Sequence, residues 1–131
     1  MVNDPVGDFI ARIMNGSAIR KASVSIPFSN LKMSIAEKLK ETGHVVSVDK
    51  KGKKVRKTLD ITLKYDESGV SAIRGAKRVS KPGRRVYKRA QEITPVRGGR
   101  GVLFLSTPQG IKTGAEARKE HIGGEALFEI W

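Results

Sequence analysis

The sequence has no cysteine among its 131 residues. That excludes disulfide staples, thiolate metal sites and cysteine nucleophiles, and it agrees with a reducing compartment. The only histidines are His44 and His121, and no acids cluster beside them, so no metal site and no cofactor is expected. Aromatic residues make up 5%, too few for a platform of rings on which successive bases would stack. No apolar run approaches the roughly 18 residues a membrane-spanning helix needs. The first stretch, MVNDPVGDFIARIMNG, carries aspartates and no basic segment before an apolar core, so neither a secretory signal nor a membrane is expected. Negative charge is scarce as well: 13 Asp+Glu stand against 26 Lys+Arg, a net charge of +13.

A field of that sign and size attracts polyanions. Nucleic acid is the first partner class it suggests, an anionic membrane surface the second and an acidic protein the third. Hydrophobic residues make up 38%, enough for a core, and the length fits one domain or two small ones.

Periodicity organises the first half. Residues 4–20 read as a helix: Asp4 suits the N-cap, Pro5 the first helical position, and Val6, Phe9, Ile10, Ile13 and Met14 form one buried stripe. The segment SVSIPF alternates Val24, Ile26 and Phe28 as a strand does. A second helix is expected from about Ser29 to Thr42, with Leu31, Ile35 and Leu39 on one face and Gly43 as its stop. HVVSV and TLDITLKY read as paired strands. The link between them, KKGKKVRK, places six basic residues in eight positions. It is either a solvated hairpin tip that also blocks edge pairing or a polyanion contact.

Near residues 66–71 the texture changes, and the chain is expected to divide there, into 1–68 and 69–131. From Arg74 to Arg100 ten basic residues face a single acid, Glu92. SKPGRRVY suggests strand, turn and strand, with Pro82-Gly83 as the turn. AQEITPV holds at most one helical turn, and RGGRG leads into a strand at Val102–Ser106. A short helical segment follows LFLSTPQG, and EALFEIW closes the chain as a strand apolar on both sides.

The stretch LFLSTPQGIKTGAEARKEHIGGE admits three chemistries. A Ser106 nucleophile would need a base and an orienting acid, and the surrounding Leu-Ser-Thr-Pro-Gln is not a nucleophile elbow. A phosphate cradle would need a glycine-rich fingerprint, and GRGVLF has Phe104 where its third glycine belongs. A surface that reads another polymer fits better. Serine and threonine hydroxyls both donate and accept, so Ser106 and Thr107 suit base edges and 2′-hydroxyls. Gly110, Gly123 and Gly124 let backbone approach a ligand closely. Glu125, a carboxylate in a basic field, would accept from exocyclic amino groups or hold Ser106, Thr107 or a lysine in place. A plain turn and a surface carboxylate remain the alternatives. His121 reads as a helix-end residue rather than a base.

Together DPVGDFIARI, IPFSNLK, RVSKPGRRVY, LSTPQG and TGAEARKEHIGGEALFEIW resemble the bacterial small-subunit ribosomal proteins of the S-eight family, from Asp4 to Trp131 and in the family's order. The resemblance implies an α+β protein: an N-terminal helix-strand-helix-strand-strand unit and a mostly β C-terminal unit with short helices. It implies a non-enzymatic structural constituent of the cytoplasmic ribosome. Such a protein binds the central domain of small-subunit rRNA early and supports platform assembly beside neighbouring ribosomal proteins, and many members of the family also repress translation through their own messenger RNA. The main RNA surface would be Ser106, Thr107 and Pro108, the Gly123-Gly124-Glu125 segment, the Lys81–Tyr87 loop (Lys81, Pro82, Gly83, Arg84, Arg85, Tyr87) and Lys112. A secondary contact would involve Asp4, Arg12, Asn15, Asn30 and Lys32. Pro108, Met14 and Asn30 depart from the family's usual residues. Another basic RNA-binding protein or an RNA-processing enzyme is the alternative class.

Overall fold

The computed structural model describes residues 4–52 and 57–131. Most of the expected basic hairpin tip, residues 53–56, lies outside the described residues. The chain forms two compact units, one of Asp8–Arg74 and one of Gly75–Trp131 with the residues up to Gly7.

The first unit holds α1 (Pro5–Ala18) from Asp8 onward, the helix α2 (Asn30–Glu41) and the strands β1 (Ser23–Pro27), β2 (Val45–Lys51) and β3 (Thr58–Leu63). The strands form one antiparallel sheet in the order β1-β3-β2. Alternation decides the buried face: Val24 and Ile26 of β1 and Leu59, Ile61 and Leu63 of β3 all point inward and are buried. Gly16 sits where a Cβ would strike Val24 and crowd Leu63, so a glycine at that point lets α1 settle on the sheet. Ser29 caps α2 by accepting from the Lys32 N–H at 3.2 Å.

The buried stripe of α2 differs from the expected one. Leu31 is exposed, and the inward positions are Lys32, Ile35, Ala36 and Leu39. The lysine is accommodated because its Nζ donates to the Pro27 carbonyl at 3.3 Å while its stem packs below.

All three helices among the described residues end alike. The residue after the C-cap takes a positive φ, at Arg20 (56°), Gly43 (82°) and His121 (58°), and the next N–H donates back to Gly16, Leu39 and Ala117 respectively. Only at Gly43 does the sequence advertise this ending. Arginine and histidine take up left-handed conformations there that usually favour glycine.

The second unit carries a five-stranded antiparallel sheet made of β4 (Ala76–Arg78), β5 (Tyr87–Lys88), β6 (Val102–Thr107), β7 (Gly110–Thr113) and β8 (Gly124–Ile130), with α3 (Gly114–Lys119) between the last two. Its fully buried centre includes Phe104 and Phe128, cross-strand partners whose rings stack with centroids 5.0 Å apart. On the opposite face Leu103, Leu105 and Ala126 pack with Ile93, Val96 and Ala117. The expected two-sided burial of the last strand is present: Leu127 and Phe128 are adjacent and both buried, helped by a register shift opposite Phe104 and Leu105. AQEITPV gives one 3-10 turn at Ala90–Glu92, and a second forms at Arg97–Gly99.

SKPGRRVY corrects one expectation. It contains a turn, but its flanking strands do not pair with each other. Both β4 and β5 pair with β8, Arg78 opposite Phe128 and Tyr87 opposite Glu125. Residues 79–86 are therefore an excursion from one interrupted strand. Its neck is closed by Ser80, only 2% exposed, whose Oγ accepts from the Val86 N–H at 2.9 Å and donates to the Val86 carbonyl at 3.2 Å. The reason is local: Lys81 and Arg84 already exchange both backbone hydrogen bonds around Pro82-Gly83, which uses up the hairpin within four residues.

Candidate nucleic-acid interface

Three of the expected RNA-reading residues of the second unit, Tyr87, Glu125 and Ser106, lie along one transverse row. Cross-strand partners in an antiparallel sheet share a face. Tyr87 of β5 stands opposite Glu125 of β8, Glu125 opposite Ser106 of β6, and Ser106 opposite Ile111 of β7. The row thus reads aromatic, carboxylate, hydroxyl, aliphatic. Tyr87 is 69% exposed, whereas Ile111 is buried and closes the far end. Nothing in the linear order announces this row, because its members come from four strands.

Arg85 reaches the row from the excursion, its guanidinium donating to Glu125 Oε2 at 3.2 Å. This explains how a carboxylate is tolerated in a basic field: it is held by Arg85, not by Ser106, Thr107 or a lysine. Lys81, Gly83 and Arg84 are exposed at the tip of the excursion, and Pro82 is half-buried beside them. Lys112 is set apart. Its Nζ lies 3.4 Å from a Glu120 carboxylate oxygen and its side chain is mostly covered.

The turn after β6 positions the end of the row. Thr107 Oγ1 donates to the Gly110 carbonyl at 2.7 Å and accepts from the Gln109 N–H at 3.2 Å. Its proton is committed to the turn, so Thr107 holds the loop in shape. Gly110 takes φ 106°, a conformation that favours glycine, and Pro108 and Gln109 stand exposed at the tip. Gln109 was not singled out by sequence, and Ser80, which fixes the excursion, was missed too. A serine at the neck of a Pro-Gly loop was the available signal for the latter.

Gly123 and Gly124 have a role inside the fold. A Cβ on Gly124 would run into the Ser106 carbonyl, and one on Gly123 would lie 2.6 Å from the Lys88 carbonyl oxygen. Side-chain-free positions are what let β8 close against β5 and β6 and bring Tyr87, Glu125 and Ser106 into line.

The residues expected at a secondary contact fall into three settings. Asp4 accepts two hydrogen bonds from Arg78 at 2.7 and 3.0 Å and one from the Gly7 N–H at 3.1 Å. The Arg78 hydrogen bonds hold its carboxyl below the usual carboxylate range against an opposing desolvation. Arg12 and Asn15 line a shallow groove of about 220 Å³ beside Ser25, with Arg12 also paired to Asp8 at 3.2 Å. Asn30 is exposed at the start of α2, while Lys32 is buried. Among the described residues no three His, Cys, Asp or Glu side chains gather as a metal site would require.

The model for ribosomal protein S8 matches residues 4–131. The chain belongs to the ribosomal protein S8 family. It is 45% identical over 130 residues to small ribosomal subunit protein uS8 of Halothermothrix orenii, covering 99% of this chain and 98% of that one. The uS8 protein of Corynebacterium jeikeium is likewise 45% identical over 130 residues with the same coverage. That of Dehalococcoides mccartyi is 40% identical over 131 residues, all of both chains. The family is one of structural, non-enzymatic proteins of the small ribosomal subunit, so this chain is a component of the cytoplasmic ribosome, associated with small-subunit rRNA and ribosomal proteins. No helix among the described residues is long and apolar enough to cross a membrane.

Proposed function

We propose that the chain is a primary rRNA-binding protein that grips an irregular helix in the central domain of small-subunit rRNA and so supports platform assembly. The observation that carries this reading is the Tyr87–Glu125–Ser106 row, presented on one sheet face beside the exposed cations of the 79–86 excursion. The chemistry divides the labour. Lys81 and Arg84 supply phosphate affinity that carries no sequence information. The Ser106 hydroxyl and the Glu125 carboxylate meet base edges or 2′-hydroxyls, and Tyr87 offers one ring for a single unstacked base. Pro108 and Gln109 reach past the row at the end of a turn that Thr107 keeps rigid. Arg12, Asn15 and Asn30 form the second, weaker rRNA contact. A messenger segment folded into the same irregular helix would be held by the same row, which is the basis for repression of the protein's own operon.

Footprinting on folded small-subunit rRNA at moderate salt tests the reading. The wild type should protect one irregular central-domain helix. Ser106→Ala should weaken that RNA and leave an unrelated duplex unchanged. Arg84→Ala should weaken both and lower the salt slope by about 0.7–0.9, one phosphate's worth. Protection that is diffuse and fades everywhere as salt rises would refute it.

A further inference from the structure

Two cations of the expected surface are neutralised from within, Arg85 by Glu125 and Lys112 by Glu120, as Arg78 is by Asp4. The second unit also has an open groove of about 830 Å³ where this is not so. It is lined by Tyr87 and Lys88 of β5, by Arg89 and the Ala90–Glu92 turn, by Arg118 and His121 at the end of α3, and by Gly123 and Gly124. Among the described residues Lys88, Arg89 and Arg118 have no carboxylate partner. The single acid of the lining, Glu92, is turned to a local task, its Oε1 accepting from the Arg89 N–H at 2.9 Å.

The position of the groove follows from alternation. Tyr87 and Lys88 are successive residues of one strand, so their side chains leave opposite faces. Tyr87 stands in the Glu125–Ser106 row. Lys88 points to the other face, where the core cluster of Ile93, Leu105, Ala117 and Ala126 holds the Ala90–Glu92 turn and α3 against the sheet. Among the described residues β5 pairs only with β8, so its outer side is a sheet edge around which a polymer can pass. The backbone is also brought close here: a Cβ on Gly123 would collide with the Lys88 carbonyl, which draws the α3 end and β5 together as the two walls. Arg118 precedes a helix ending in which His121 adopts φ 58°, and this turn carries both side chains to the groove.

We infer that this groove is a second seat for an RNA phosphodiester backbone, continuous around the β5 edge with the reading row. The inference rests on the RNA-binding reading above. The groove adds affinity without sequence information: cations on one face take phosphates, and the row on the other face discriminates. Tyr87 belongs to both, since it stands opposite Glu125 in the row and also lines the groove.

The test uses the full chain with Arg89→Gln and Arg118→Gln together, and Lys119→Gln with Arg100→Gln as a control that removes equal charge outside the groove. Affinity for the central-domain helix and for an unrelated duplex is measured across a salt series, with hydroxyl-radical footprinting alongside. The groove pair should lose about 1.4–1.8 in salt slope on both RNAs, two phosphates' worth, and a distinct patch of backbone protection should vanish. The control pair should keep that patch. If the wild type fails to prefer the central-domain helix, the RNA-binding reading itself falls. If the wild type prefers it but the groove pair matches it in slope and footprint, the groove inference alone is overturned, as it would be if an acidic protein segment occupied the groove. Unchanged circular dichroism in both variants separates loss of contact from loss of fold.

Discussion

Glu125→Gln separates the two jobs assigned to the reading row. In the wild type the Arg85 guanidinium lies 3.2 Å from the Glu125 carboxylate, with the side chains 48% and 20% exposed. At that distance the bare Coulomb attraction is about 1.3 kcal/mol in a water-like dielectric and about 5 at the effective value of a protein surface. Solvation and side-chain ordering offset most of this, so the pair should contribute only about 0.2–1 kcal/mol to stability. The thermal midpoint should therefore move by a few degrees at most. The binding effect is larger and opposite for different RNAs. Removing the carboxylate releases Arg85 to meet a phosphate, so an unrelated duplex should bind more tightly, with a salt slope steeper by about 0.7–0.9. The central-domain helix loses an acceptor that discriminates between base edges by about 1–3 kcal/mol. Selectivity should then fall roughly 5- to 150-fold. The assay is a filter-binding or fluorescence titration of both RNAs from low to moderate salt. A variant that keeps its selectivity ratio, or whose slope on the unrelated duplex does not steepen, would show that Glu125 is a surface carboxylate and refute the division.

Three other substitutions probe what holds the row in place. Ser80→Ala strips both hydrogen bonds from the Val86 backbone and should cost about 1–3 kcal/mol in denaturant unfolding while weakening RNA binding through a loosened excursion; unchanged amide exchange at Val86 would count against it. Gly124→Ala drives a methyl into the Ser106 carbonyl, so β8 must shift; affinity for the central-domain helix should fall more than tenfold while the unrelated duplex is barely affected, and equal losses on both would be the adverse result. Asp4→Asn breaks a bidentate pair with Arg78, and its effect should depend on pH. The folded Asp4 carboxyl sits below its ordinary value, so its contribution is full above about pH 4 and lost as pH falls through the lowered value. The stability gap between wild type and variant should close on acidification in that window, and a gap independent of pH would contradict it.

What the sequence disclosed and what it withheld follow from the range of the forces involved. α1, β1, β3 and the α2 boundaries were legible because their signals are local: an N-cap, a period, a glycine stop. The buried side of α2 was misjudged because a lysine can bury its stem if a carbonyl receives its ammonium, and the Pro27 carbonyl is supplied by the chain before the helix. The SKPGRRVY segment announced a turn correctly, but strand pairing is non-local, and β8, the partner of both flanking strands, lies far along the chain from them. The family resemblance supplied Ser106, Glu125 and Tyr87 as a set, yet only the register makes them neighbours. Thr107 shows the opposite limit: its residue type suits reading, while its hydrogen bonds go to the turn.

The same register also accounts for how charge is distributed. A strand interrupted by an excursion places its two halves along one neighbour, so β8 receives Lys77 opposite Glu129 at one end and Tyr87 opposite Glu125 at the other. Between them the excursion projects Lys81, Arg84 and Arg85 without having to bury any of them. Had β4 and β5 formed a hairpin together, Tyr87 would pair with the basic strand and lie away from Glu125. The row and its bordering cations then could not face one ligand. Shortening the excursion is the decisive perturbation for this logic. Deleting Pro82 and Gly83 keeps every member of the row and removes no charge, but it tightens the neck that Ser80 closes. Phosphate affinity on the unrelated duplex should persist while selectivity for the central-domain helix is lost, because Arg85 can no longer reach Glu125. Retained selectivity would mean that the row reads RNA without the excursion's help.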